Sequence, residues 1–206
     1  MNTLYYAPGA CSIGIHIMLE EIVQPYEAVA VNLREGEQFQ PPFQEINPKA
    51  KVPTLKRADG SVLTEFPAIA YWLAATNPAA KLMPASPDGQ AAALQFTDHA
   101  VSTMHMQAFS RMFRPSNFAP SEADAEAVKA RGKELYEKGF AVMEKALAGK
   151  DYLCGDFSFA DTALFYVSMW WAKRMDGTLP PNVDAHFTRM MARPAVQRTM
   201  AAEGLA

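Results

Sequence analysis

The sequence predicts a small α/β domain followed by an all-helical one. Strand-like and helix-like segments interleave up to about residue 77, a stretch with three prolines (Pro78, Pro84 and Pro87) follows, and from about Asp88 every periodic segment is helical. The corresponding domains span residues 1–79 and 88–206. The chain has 206 residues, half hydrophobic and 20% charged, a balance that suits a globular protein and excludes disordered, collagenous and coiled-coil classes. At this length a core forms without disulfides or structural metal.

Each element has its own local signal. Thr3–Ala7 is rich in aromatic and branched residues and stops at Pro8-Gly9, as a strand does. Ile13, Ile17, Leu19 and Ile22 then recur at helical spacings, so a helix begins at or beside Cys11. Tyr26–Val31 reads as a second strand. Arg34–Pro48 is polar and proline-rich, with room for one short helix. Thr54–Lys56 and Val62–Leu63 flank Asp59-Gly60, a hairpin signal. Ala68–Ala75 follows as a helix with Pro67 near its first turn.

The second domain reads as helices over 88–114, 121–148 and 158–174, with two shorter ones near 183–202. Ser121-x-x-Asp124 and Ser158-x-x-Asp161 each set a hydroxyl three residues before an acid, the spacing of a capping box.

Charge and cysteine content narrow the function. Net charge is −3, with five basic and eight acidic residues up to position 80 and fourteen of each beyond it. No basic patch suited to a phosphate backbone stands out, which argues against nucleic acid as a partner. Cys11 and Cys154 form no framework and no CxxC, consistent with a reducing compartment. Residues 1–19 carry no Asp, Glu, Lys or Arg, but lack a basic leader and are broken by Pro8-Gly9, unlike a signal peptide. No uncharged stretch reaches the roughly 20 residues of a membrane span. The expected location is the cytoplasm.

Several residues bear on chemistry, each with a plainer alternative. Cys11 sits where the first strand hands over to a helix, whose N-terminal dipole and free N–H groups would favour its thiolate. Ser12 offers a hydroxyl at the same place. The alternative is a small buried Cys beside an ordinary N-cap; for Cys154, packing is the simpler role. Val52-Pro53 is either a strand start or a cis bond that exposes Val52 to pair with a peptide-like ligand. Glu65, ahead of Phe66-Pro67, either complements the helix dipole or holds an ammonium group beside N–H groups that bind a carboxylate. His105 follows Asp98 by seven residues, on the same face of an α-helix with Val101, Phe109 and Met112, either as a core residue or as a catalyst. His16, His99 and His186 show no partner at a useful spacing. HExxH, His/Cys clusters and GxGxxG are absent, so neither a metal nor a dinucleotide is expected.

Taken together, Tyr5-Tyr6-Ala7-Pro8-Gly9-Ala10-Cys11-Ser12, Asn47-Pro48-Lys49-Ala50-Lys51-Val52-Pro53 and Leu63-Thr64-Glu65 resemble the bacterial glutathione S-transferases of the beta class. So do His105 with Phe113-Arg114-Pro115, Cys154-Gly155 with Phe159-Ala160-Asp161, and Arg193-Pro194-Ala195-Val196. The resemblance spans essentially the whole chain. It implies a thioredoxin-like glutathione-binding domain, a helical domain that builds the acceptor pocket, and a homodimer.

The resemblance also implies roles. Cys11 would touch the glutathione sulfur, and Val52, ahead of a cis Pro53, would pair with the cysteinyl backbone. Glu65 and Phe66 would hold the γ-glutamyl end, His105 would lie near the sulfur, and Asp98 would reach the partner subunit's glutathione. Ser158 and Asp161 would serve folding. Three departures stand out: Phe66 where Ser or Gly is common, with a ring that would alter the pocket; Lys51 where Gln is common; and no counterpart in loop 34–46 of a lysine that often assists glutathione binding.

The expected activity is conjugation of glutathione to small, largely apolar electrophiles, a detoxification chemistry. Cys11, Ser12 and His105 are its catalytic candidates, and Lys51, Val52, Pro53, Glu65, Phe66 and Asp98 its glutathione contacts. The alternatives are Cys11-dependent thiol–disulfide exchange, for which a lone cysteine permits only a monothiol route, and non-catalytic binding of apolar ligands.

Overall fold

A computed structural model describes residues 1–206. The first strand, β1 (Asn2–Tyr6), leads through Pro8-Gly9 into α1 (Ile13–Ile22), and the chain returns as β2 (Tyr26–Ala30) parallel to β1. Past a short 3-10 turn (Glu37–Phe39) and α2 (Pro41–Gln44), β3 (Thr54–Lys56) runs antiparallel to β1, and β4 (Val62–Thr64) antiparallel to β3. The sheet order is β2-β1-β3-β4, and α3 (Phe66–Thr76) follows at once.

The elements expected up to residue 77 are present, with boundaries moved by one or two residues. The β3–β4 turn closes with Arg57 N–H on Ser61 O and places Gly60 at φ +86°, a conformation that suits a residue without Cβ. In α1, Ile13–Leu19 are all buried, His16 among them, so this part of the helix is enclosed by its neighbours.

The rest of the chain is helical: α4 (Pro87–Asp98), a π-helical stretch (His99–Phe109), α5 (Ser110–Phe113), α6 (Ala125–Ala146), α7 (Phe159–Arg174), α8 (Pro181–Met191) and α9 (Pro194–Ala202). Both capping boxes form, at Ser121/Asp124 and Ser158/Asp161. Residues 159–171 of α7 are buried without exception, and Tyr136 of α6 donates its hydroxyl to Val167 O at 2.7 Å. Helix α6 approaches the 99–109 helix closely at two glycines. A Cβ at Gly132 would lie 2.8 Å from Ala108 O, and one at Gly139 would lie 2.6 Å from Met104 Cγ.

The compact units are divided differently from the expected domains. One comprises Met1–Met83 with Arg189–Ala206, the other Pro84–Thr188. The reason is local chemistry on α1. Arg193 Nη2 pairs with Glu21 at 2.8 Å, Arg198 Nε with Glu20 at 2.5 Å, and Glu203 with His16 at 2.8 Å, while Val196 and Ala195 of α9 are buried. These contacts tie residues 189–206 to the α/β unit. Arg198 and the Tyr26 hydroxyl, both bonded to Glu20, hold its carboxyl below the usual range even though partial burial works the other way.

Candidate functional site

The site in the α/β unit is assembled from three loops at the ends of its strands. The first is Ala7–Ser12. Ser12 is fully buried, and its Oγ accepts the Ala7 N–H at 3.1 Å and lies 3.3 Å from Ala7 O. This hydroxyl is consumed in shaping the loop around Pro8-Gly9, so the expectation that Ser12 presents a donor to a ligand is corrected: a short polar side chain in a tight turn closes on its own backbone.

Cys11 also departs from expectation. Its thiol donates to Val52 O at 3.4 Å. Loss of hydration dominates at the sulfur, although the residue as a whole is only half-buried, and pushes the thiol up to about 12. The Cys11 and Ser12 N–H groups and the charge of Lys51 pull the other way, and Glu65 adds to the rise. The helix-start effect anticipated for this cysteine is therefore present, but burial outweighs it, and Cys11 is a neutral S–H at physiological pH.

The second loop is Asn47–Pro53. The Val52–Pro53 bond is cis. Asn47 is buried and donates through Nδ2 to Lys51 O (2.9 Å) and Thr54 Oγ1 (2.8 Å), while its Oδ1 accepts the Lys49 N–H at 3.1 Å. One amide thus pins the whole turn, in which Ala50 adopts φ +54°. Lys51 is exposed beside it.

The third is the β4–α3 junction. Glu65 sits at φ +71°, ψ +124°, a region that costs a non-glycine residue on the order of 1–3 kcal/mol and recurs at ligand clamps. Lys49 Nζ donates to Glu65 Oε1 at 2.7 Å and to Thr64 Oγ1 at 2.8 Å. Phe66 opens α3 with its side chain buried. Cys11, Lys51, Val52, Pro53 and Glu65 therefore come together. Lys49, two residues before Lys51, has no role in the sequence analysis and joins this group through its bond to Glu65.

His105 and Asp98 lie in the helical unit. The rings of Trp170, Tyr166 and Phe109 surround His105 at centroid distances of 4.7, 5.8 and 6.2 Å, and its Nδ1 is 3.4 Å from the Tyr166 hydroxyl. Asp98 is exposed, and its carbonyl accepts from Ser102 Oγ at 2.7 Å. The helix that carries both residues is π-helical over 99–109.

The other histidines are corrected too. His16 Nδ1 meets Glu203 Oε1 at 2.8 Å, and His186 Nε2 meets Asp161 Oδ1 at 3.0 Å, all four residues buried. Both partners are too far along the chain for spacing to reveal. No group of three or more His, Cys, Asp or Glu side chains could hold a metal ion, and no helix is long and apolar enough to cross a membrane.

Comparison with known proteins agrees with this geometry. Residues 9–76 match the glutathione S-transferase N-terminal domain family, and residues 100–194 match the glutathione S-transferase C-terminal domain family. The chain is 31% identical to the glutathione S-transferase GstA of Escherichia coli O157:H7, with 98% of each chain aligned. A glutathione transferase homologue from Sulfitobacter, solved with bound glutathione, superposes with a TM-score of 0.89 at 32% identity, over 100% of this chain and 99% of that one. The beta-class glutathione S-transferase of Sphingomonas chungbukensis superposes with a TM-score of 0.82 at 30% identity, over 99% and 100% of the two chains. With a thioredoxin-like α/β unit, a helical unit, and family matches across both, the chain belongs to the glutathione S-transferase family.

Proposed function

We infer that the chain is a glutathione transferase, with reduced glutathione as co-substrate and a small, largely apolar electrophile as acceptor. Glutathione binds on the α/β unit around Cys11, Lys51, Val52 and Glu65, and residues 88–206 supply the acceptor pocket. The observation that carries this reading is the contact of the Cys11 thiol with Val52 O at 3.4 Å, beside a loop pinned by Asn47 and a strained Glu65.

That contact suggests a mechanism. A cysteinyl N–H of the ligand competes with Cys11 for Val52 O, in the manner of an added strand. The displaced S–H then donates a hydrogen bond to the incoming sulfur. Because burial keeps Cys11 protonated, it stabilises a glutathione thiolate as a donor and sets no second negative charge beside it. A thiol near pKa 8.5 is only a few per cent ionised at neutral pH, so lowering it by about two units gains more than tenfold in nucleophile. A thiol pushed up in this way is poorly suited to attack disulfides itself, which weighs against exchange chemistry at Cys11.

The resemblance gives proton handling to His105, which is held edge-on to Trp170 in the helical unit. The chain acts as a homodimer in the cytoplasm, in detoxification, with Asp98 turned to the partner subunit's glutathione. These assignments rest on the resemblance to the beta class. The test is a calorimetric titration with reduced glutathione: saturable binding, weakened in Glu65→Ala, supports the reading, and no binding at millimolar glutathione overturns it.

A further inference from the structure

We propose that Lys49 is a specificity residue at the γ-glutamyl end of glutathione: beside Glu65, to which the resemblance already gives that end, Lys49 takes the α-carboxylate while Glu65 takes the ammonium. This rests on the glutathione reading above and adds to it a residue with no role there.

The geometry leaves the pair little structural purpose. Both side chains are more than half exposed, 54% for Lys49 and 62% for Glu65, and an exposed ion pair contributes almost nothing to stability. Yet three features hold it in place. Glu65 is kept in a left-handed conformation, Asn47 fixes the Lys49 backbone by accepting its N–H, and Thr64 Oγ1 takes a second ammonium proton at 2.8 Å.

Donor and acceptor capacity point to the ligand. An ammonium has three N–H groups, and Lys49 uses two, on Thr64 and Glu65. A carboxylate has two oxygens, and the Lys49 bond engages only Oε1 of Glu65. One cationic donor and one anionic acceptor are left side by side, fixed 2.7 Å apart through the bond that joins them. A zwitterionic head carries the opposite arrangement on one carbon, so both charges meet their complement at once without breaking the Lys49–Glu65 bond. A lone Glu65 would accept any amine; the added cation demands a carboxylate next to it.

The proposal is tested by calorimetry with two peptides, glutathione and 4-aminobutanoyl-cysteinyl-glycine, which lacks only the γ-glutamyl α-carboxylate. For Lys49→Gln, glutathione affinity is expected to fall about tenfold, the loss of one charge-assisted contact. Affinity for the decarboxylated peptide is expected to stay within about twofold of wild type, and Lys49→Arg to keep most of the glutathione affinity. If Lys49→Gln weakens both peptides alike, Lys49 merely positions Glu65 and the proposal fails; if it weakens neither, the proposal also fails while the glutathione reading stands. A wild-type chain that binds neither peptide overturns both.

Discussion

Glu203 reaches back to His16, placing Oε1 2.8 Å from His16 Nδ1, and through Oε2 it accepts the Gly9 N–H at 2.8 Å across 194 positions of sequence. Both side chains are buried, Glu203 to 5% and His16 to 1% exposure, and the rings of Tyr6 and Tyr26 flank the imidazole at 5.1 and 5.7 Å. One carboxylate therefore serves α1 and the loop that carries Cys11.

Removing that carboxylate deprives a buried imidazole of its partner, a change that costs about 3 kcal/mol. Glu203→Ala is expected to lower the urea midpoint without changing the slope. It should also weaken glutathione binding, because the Gly9 anchor sits two residues before Cys11. An unchanged midpoint would show that the pair carries no stability.

Asp161 does similar work in the helical unit. Its Oδ2 accepts from Ser158 N–H at 2.8 Å, while its Oδ1 accepts from Leu153 N–H and meets His186 Nε2, each at 3.0 Å. Three segments depend on one buried side chain. Asp161→Ala is expected to destabilise by about 3 kcal/mol, more than the roughly 1 kcal/mol of a lost cap alone. Comparing it with Ser158→Ala in the same unfolding experiment separates the cap from the cross-links.

Much of this architecture can be read locally, because its signals are local. The Ser158/Asp161 box, the Asp59-Gly60 turn and the period of α1 each lie within one element, and each forms. What escapes the sequence lies in contacts between distant residues. His186 meets Asp161 only because α8 docks there, and Lys49 meets Glu65 across sixteen positions because a buried Asn47 shapes the turn between. Ser12 and Cys11 illustrate a second gap. Their place before a helix is legible, but the closing of one hydroxyl on Ala7 and the dehydration of the neighbouring thiol are products of packing. The π-helical turn at 99–109 likewise leaves no mark in residue types.

The raised Cys11 thiol has a pH signature. It is protonated in the folded chain well past the point where the unfolded chain, with a thiol near pKa 9, has ionised. The unfolded state then binds fewer protons, so stability is expected to fall as pH rises from about 9 towards 12. Cys11→Ala should flatten that fall, measured by urea midpoints across the alkaline range. In the ligand-free protein, alkylation of Cys11 by iodoacetamide should be much slower at pH 8 than that of a free thiol; rapid labelling would contradict the burial argument.

Gly132 offers a packing test. A methyl group there meets the backbone oxygen of Ala108 at 2.8 Å, which no rotamer change relieves. Gly132→Ala is expected to cost about 1–3 kcal/mol despite its better helix propensity, because α6 must back away from the 99–109 helix. A gain in melting temperature would mean that the helices part easily.

The joining of residues 189–206 to the first α/β unit bears on how the protein is made. A ribosome releases the sheet and α1 long before Arg193, Arg198 and Glu203 exist, so the nascent unit waits with His16 and the Gly9 loop uncovered. The helical unit is a single run from Pro84 to Thr188 and needs no later segment to complete it. The loop that carries Cys11 therefore depends, through Gly9, on a residue made almost at the end of synthesis.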